Sequence, residues 1–260
     1  PWRHLRVALA RLKEGDTLVL AEHTYQGKFE VKTPHVRIIA QGPGTVIDGA
    51  VKPTGWRDDG NRIFSVPWTR GCYGVFCDSF DGTDGFGPAI SRHAVLWNMG
   101  LDNHYGSNPH FEMHDFDPSH DYYNGRREAR YKMHDWKSQW ILKDGRLYVR
   151  TVDGQSPEQH NLRVATQAVG LTIHGQANVS VEGITIQHVG EFTSIGNCPG
   201  ARRTNCRFQY CGGYGVGLHE SEGALFQNNV IRGGGSGVAH SGQSFYARGS
   251  HRLQFLNNMV

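Results

Sequence analysis

The sequence predicts an all-β fold made of stacked parallel coils, and three observations predict it. Apolar β-runs recur with a coil-length period: in VSVEGITIQ, ARRTNCRFQ, LFQNNVIR and LQFLNNMV, residues Ile186, Phe208, Ile231 and Val260 fall into one column at intervals of 22, 23 and 29 residues. Such periods suit a three-sided parallel solenoid, and the longer last interval places extra residues in one turn. Glycine or asparagine recurs at the bend of each coil, at Gly183, Asn205, Asn228 or Asn229, and Asn257 or Asn258. Both residue types tolerate the left-handed backbone of a one-residue corner, and stacked asparagine amides bond along a ladder. Finally, 34 glycines and 12 phenylalanines in 260 residues, with 38% hydrophobic and 20% charged residues, fit a turn-rich β protein better than a helical bundle or a disordered chain.

The elements follow in order. Leu5, Ala8, Leu9 and Leu12 share one helical face before Gly15, which predicts a short amphipathic helix capping an open solenoid end. Thr17–Leu20, Phe29–Val31, Val36–Ala40 and Thr45–Ile47 are short β-runs separated by glycines and form the first coils, so residues 1–55 make up the cap and opening coils. From Trp56 to about Gln155 the rhythm stops and Trp, His and Asp accumulate, which predicts an inserted subdomain over 56–155. WILKDGRLYVRTVDG alternates around Asp144-Gly145, a hairpin signal that makes the insert β-rich. Coils resume over 156–260.

Two stretches near the start, GDTLVLAEHTYQGKFEV and VRIIAQGPGTVIDG, resemble the opening coils of right-handed parallel β-helix (pectin-lyase-like) carbohydrate-active enzymes, with His23 where that pattern usually has glycine. The resemblance covers about residues 1–55 and 156–260. It implies an all-β, right-handed three-sided parallel β-helix with an N-terminal capping helix and an inserted β-rich subdomain. The architecture is similar to that of β-helix glycoside hydrolases, some xylosidases among them, that carry a β-rich domain between early coils. A secreted, periplasmic or cell-surface location goes with such a family.

A net charge of +3 with no run of like charges beyond two or three residues sets nucleic acid aside as a partner. No apolar stretch nears the roughly 18 residues of a membrane span, and no charged-then-apolar leader opens the chain. Pro1 and Val260 read as cut ends of a longer protein. The five cysteines lack zinc-ribbon spacing and read as thiols, with a Cys72–Cys77 bridge as the alternative.

In the family resembled, the open groove follows the strand entered after the asparagine corner and the loop behind it. Here those strands are FTSIG, YGVGLH and SGVAH, and the face collects His188, Glu191, Tyr210, Tyr214, His219, Glu220 and His240. Glycoside hydrolysis needs two carboxyl groups, about 5 Å apart for retention or 6.5–9.5 Å for inversion. Glu191 and Glu220 are the expected pair, with His188, His219 and His240 tuning or orienting them and Glu222 as substitute for Glu220. Tyr210, Tyr214, Arg232, Tyr246, Trp97 and Trp136 are the expected substrate contacts, the aromatic planes suiting the C–H side of a pyranose. Glu182 reads as a solvated carboxylate and Asp48 as a turn residue.

Elimination from a uronic acid polymer is the second reading: Tyr or His would act as base, and an arginine from Arg202, Arg203, Arg207, Arg232 and Arg248 would neutralise the carboxylate. From Gly154 to Val260 there is no Asp and no Lys, so neither a calcium site of grouped aspartates nor an aspartate pair can be assembled from these coils. A third reading is a non-catalytic glycan-binding solenoid. His110 and His114 in HFEMHDFDPSHD lack a helical pattern and carry Pro118 close by, so that segment reads as a polar loop; no metal and no cofactor are expected, and the partner is a polysaccharide or oligosaccharide.

Overall fold

The computed structural model describes residues 4–77, 94–98, 139–151, 154–211, 215–232 and 245–260. Three parallel sheets form the walls of a solenoid. Sheet A stacks Thr17–Leu20, Arg37–Ala40, Ser180–Glu182, Arg202–Thr204, Leu225–Gln227 and Gln254–Leu256. Sheet B stacks Thr24–Gln26, Val46–Asp48, Thr185–Val189, Arg207–Cys211 and Val230–Arg232, and sheet C stacks Phe29–Val31, Val169–His174, Glu191–Gly196, Val216–His219 and Phe245–Arg248. Each coil visits A, B and C in turn.

The apolar column is continuous across coils. Tyr25, Ile47, Ile186, Phe208 and Ile231 are register partners, and the Val230–Met259 bridge carries the register on to Val260. The corner between sheets A and B is built as its residues dictate: Gly183, Asn205, Asn228 and Asn257 have φ of +73°, +57°, +56° and +50°. Of the paired asparagines it is therefore Asn228 and Asn257 that turn. Asn229 and Asn258 point inward instead and form the amide ladder, with Asn229 Nδ2 donating to Asn258 Oδ1 at 2.8 Å. Asn229 Oδ1 in turn accepts from the Cys206 N–H at 2.9 Å.

The helix is short, Leu5–Leu9, and its buried Leu5 and Leu9 enter the same core as Phe29, Val31 and Ile38. That core runs the length of the stack and is lined mainly by Ile, Val, Leu and Phe. One inward position breaks the pattern: in the column Ile38, Val181, Arg203, Phe226 and Phe255, Arg203 is fully buried.

Between the sheet B and sheet C strands of the second coil the chain makes a long excursion, leaving after Asp48 and rejoining at Val169. An eight-stranded sheet lies within it, in the order Ala50–Val51, Arg163–Ala165, Val75–Cys77, Ala94–Asn98, Gln139–Lys143, Arg146–Arg150, Ile63–Pro67 and Arg57–Gly60. The Gln139–Lys143 and Arg146–Arg150 hairpin turns at Asp144 and Gly145, both at positive φ, as a two-residue primed turn requires. The excursion leaves the stacking intact, because Arg37–Ala40 pairs directly with Ser180–Glu182. Cys72, Cys198 and Cys206 are free thiols, so the alternative Cys72–Cys77 bridge is not formed.

Candidate functional site on sheet C

Alternation along a strand sends every second side chain of sheet C outward, and parallel stacking lines these up about 4.8 Å apart along the solenoid axis. One outward row is Glu30, Thr172, Ser194, Gly217 and Tyr246; two residues further along each strand runs the row His174, Gly196, His219 and Arg248. The two buried glycines sit under rings. A Cβ on Gly217 would lie 2.6 Å from Oη, 2.8 Å from Cζ and 2.9 Å from Cε1 of Tyr246, so the phenol ring lies flat against the strand. A Cβ on Gly196 would meet His174 Nδ1 at 2.8 Å and Cε1 at 2.9 Å.

Both rings end in a polar partner. The Tyr246 hydroxyl is 2.8 Å from His219 Nε2, with the rings edge to face at 5.1 Å. His174 Nε2 is 3.2 Å from Ser194 Oγ. Arg248 stands beside His219 in the strand register and is exposed. The face thus offers two flat rings, a phenol–imidazole hydrogen bond and a guanidinium.

The expected residues divide into separate places. His219 is the last residue of its sheet C strand and Glu220 follows it, while Tyr246 is the second residue of the strand Phe245–Arg248. Glu220 is the corner residue after His219, exposed and at φ +45°. Glu191 begins its strand opposite Val169, whereas Glu220 shares the register of Asn197, six residues further on. At ~3.3 Å per residue the two backbones are about 20 Å apart along the strand, beyond what an acid pair at 6.5–9.5 Å allows. The Glu191–Glu220 pair is therefore corrected. Glu222, the substitute, is ion-paired with Arg252, and that contact holds its carboxyl below the usual range.

The third strand of the groove also needs correction. The register partner of Val216–His219 is Phe245–Arg248, not the SGVAH segment, because the extra residues of the last coil fall between sheets B and C. His240, Tyr214 and Trp136 lie outside the described residues, and for Trp97 only the strand position is described. Arg232 is on sheet B, in register with Gln209, away from this face.

His188 and Tyr210 are the next-to-last residues of their sheet B strands, both at positive φ, with their rings stacked at 5.5 Å. His188 is buried, and its Nδ1 lies 3.1 Å from Oδ2 of Asp48, which also receives Gln187 Nε2 at 2.9 Å. Asp48 Oδ1 accepts the Ala50 N–H at 2.9 Å, and Arg163 Nη1 is 3.8 Å from Oδ2. Asp48 is thus a buried hub, not a turn carboxylate in solvent. It fastens the start of the excursion, its returning strand and the next coil to one another. Burial pushes its carboxyl up, but the hydrogen bonds and positive neighbour outweigh this and leave it below the usual carboxylate value. His188 consequently orients structure here and does not face sheet C.

Among the described residues no three His, Cys, Asp or Glu side chains converge as metal ligands, and no helix is long and apolar enough to cross a membrane. Sequence reasoning passed over His174, Ser194 and Gly217, and nothing in the sequence marks them, since their rows exist only once the coils are in register.

Residues 152–260 match the family model described as "Right handed beta helix region". The fold is a right-handed parallel β-helix. A solved β-helix described as "The complex structure of XylC with xylose" superposes with a TM-score of 0.53 at 11% identity, over 89% of this chain and 50% of that one. At that identity the likeness is one of fold, and this chain spans half the length of that β-helix protein. No curated protein matches the sequence.

Proposed function

We propose that the protein is a glycan-active enzyme that holds a saccharide chain along the outer face of sheet C and moves a proton through Tyr246 and His219. The observation that carries this reading is the phenol ring lying flat over Gly217 with its hydroxyl 2.8 Å from His219 Nε2, beside Arg248. Flat rings suit the apolar faces of pyranoses.

The reaction these groups support best is β-elimination from a uronic acid residue. His219 Nε2 accepts the phenolic proton, and the phenolate oxygen removes the proton from the carbon next to the sugar carboxylate. The electrons of that C–H bond form the new double bond, the bond to the leaving oxygen breaks, and that oxygen takes the proton held on His219. Arg248 offsets the carboxylate charge that builds up on the way. Among the described residues no carboxyl pair is placed for hydrolysis on this face.

Glycoside hydrolysis is the second reading. It is favoured by Glu220, exposed at the corner next to His219, and by the xylose named in the description of the structurally similar β-helix. Either activity fits a secreted, periplasmic or surface location.

Absorbance of a panel of uronic and neutral polysaccharides, followed with and without the protein, tests the choice. Elimination creates a conjugated double bond and an absorbance rise that Tyr246→Phe and His219→Gln remove. Reducing ends released without absorbance, and lost in Glu220→Gln, overturn elimination in favour of hydrolysis. Binding to a glycan without any product sinks both and leaves a non-catalytic solenoid.

A further inference from the structure

We propose that Gly217 is a positioning residue: its missing Cβ lets the Tyr246 ring lie down on sheet C and so brings the phenol onto His219. The catalytic consequence rests on the proton-transfer reading above; the seating itself does not.

Gly217 lies inside the strand Val216–His219, where glycine weakens a sheet and commonly marks a place that another group must approach closely. Its backbone is not among the left-handed ones, so conformation does not call for glycine there. The same outward row carries Thr172 and Ser194 in the preceding coils, so the sheet itself accommodates side chains at this position. What distinguishes Gly217 is the ring across it, with three phenol atoms 2.6–2.9 Å from where a Cβ would stand. Two of the three belong to the ring, so the phenol must tilt away to make room. Because Tyr246 reaches His219 Nε2 only by lying flat, at 2.8 Å, a tilt breaks that hydrogen bond. Gly196 beneath His174 repeats the device one coil earlier and serves as a control, since filling it displaces His174 and leaves Tyr246 in place.

The test uses the full chain and the variants Gly217→Ala, Gly196→Ala, Tyr246→Phe and Gly217→Ala/Tyr246→Ala. The imidazole ring signals of His219, assigned with His219→Gln, are recorded by NMR at one fixed pH. In Gly217→Ala the His219 ring shifts are expected to match those of Tyr246→Phe, whereas Gly196→Ala leaves the Tyr246 ring signals unchanged. Turnover in Gly217→Ala falls by about 100-fold with KM changed little, the size expected for a lost proton-transfer group. His219 ring shifts in Gly217→Ala equal to those of the unmodified protein overturn the inference.

If Gly217→Ala lowers the melting temperature, the double variant recovers it, because the ring that met the new methyl is gone. A double variant as unstable as the single one also overturns the inference, since the methyl then collides with the sheet. His219 ring shifts in Gly217→Ala that match those of Tyr246→Phe, in a protein that turns over no glycan, leave the seating intact and remove the proposed function instead.

Discussion

Replacing Arg203 by methionine should stabilise the protein. Arg203 projects into the core from sheet A, with Val181 and Phe226 as its register neighbours, and it is fully buried. Its Nη1 donates to the Arg202 carbonyl at 2.7 Å, while Nε and Nη2 are buried without a partner among the described residues. Burial pulls the guanidinium well below its usual value, down to about 10, against an opposing contribution from Cys206 and Cys198. That drop corresponds to about 3 kcal/mol of penalty on the charged form. The penalty is present in full at neutral pH, where folded and unfolded chains are both protonated; it is relieved only as pH rises above about 10, where the unfolded chain holds the extra proton. Methionine removes the penalty and gives up one hydrogen bond worth about 1 kcal/mol, for a net gain of about 2 kcal/mol. For a chain of this size the melting temperature should rise by about 6 °C, read by circular dichroism or calorimetry. A melting temperature that stays level or falls refutes the reasoning, because it means that the guanidinium is not an uncompensated charge.

Three further outcomes are expected. Asn229→Ala leaves the buried Cys206 N–H without its acceptor and cuts the link to Asn258, and should cost about 3 kcal/mol in chemical denaturation. Because the Asp48 carboxyl is held below its ordinary 3.8, its contribution to stability is present above about pH 4 and lost as pH falls through the depressed value; Asp48→Asn should be less stable at neutral pH by about 3 kcal/mol and should show a flatter acid limb in a pH series of melting temperatures. Tyr246→Phe should keep the melting temperature within about 2 °C while abolishing product formation, since the ring stays over Gly217 and only the hydroxyl on His219 is lost.

The coil register was legible because it is written locally. A corner needs a residue that accepts positive φ, an inward strand position needs an apolar side chain, and Gly183, Asn205 and Ile186 each satisfy the local demand. His219 and Tyr246 were legible as chemistry, though not as a hydrogen-bonded pair. Their meeting depends on where the strand after the longest turn resumes, and a placement at SGVAH instead of Phe245–Arg248 is enough to lose it. Glu191 and Glu220 appeared adjacent for the same reason: neighbouring coils bring together only those residues that share a position along the strand.

By itself the sequence determined the all-β class, the three-sided coils, the glycine and asparagine corners and the hairpin at Asp144-Gly145, all of which rest on periodicity and backbone preference within a few residues. Only the tertiary structure decided which side chains share a face. Asp48 became a buried hub because strands distant in sequence close over it, Arg203 became an isolated charge because its strand turns it inward, and Gly217 gained its meaning from a ring 29 residues further along the chain. Those outcomes depend on where each strand resumes after a long turn or excursion and on what then packs across it, which no local pattern encodes.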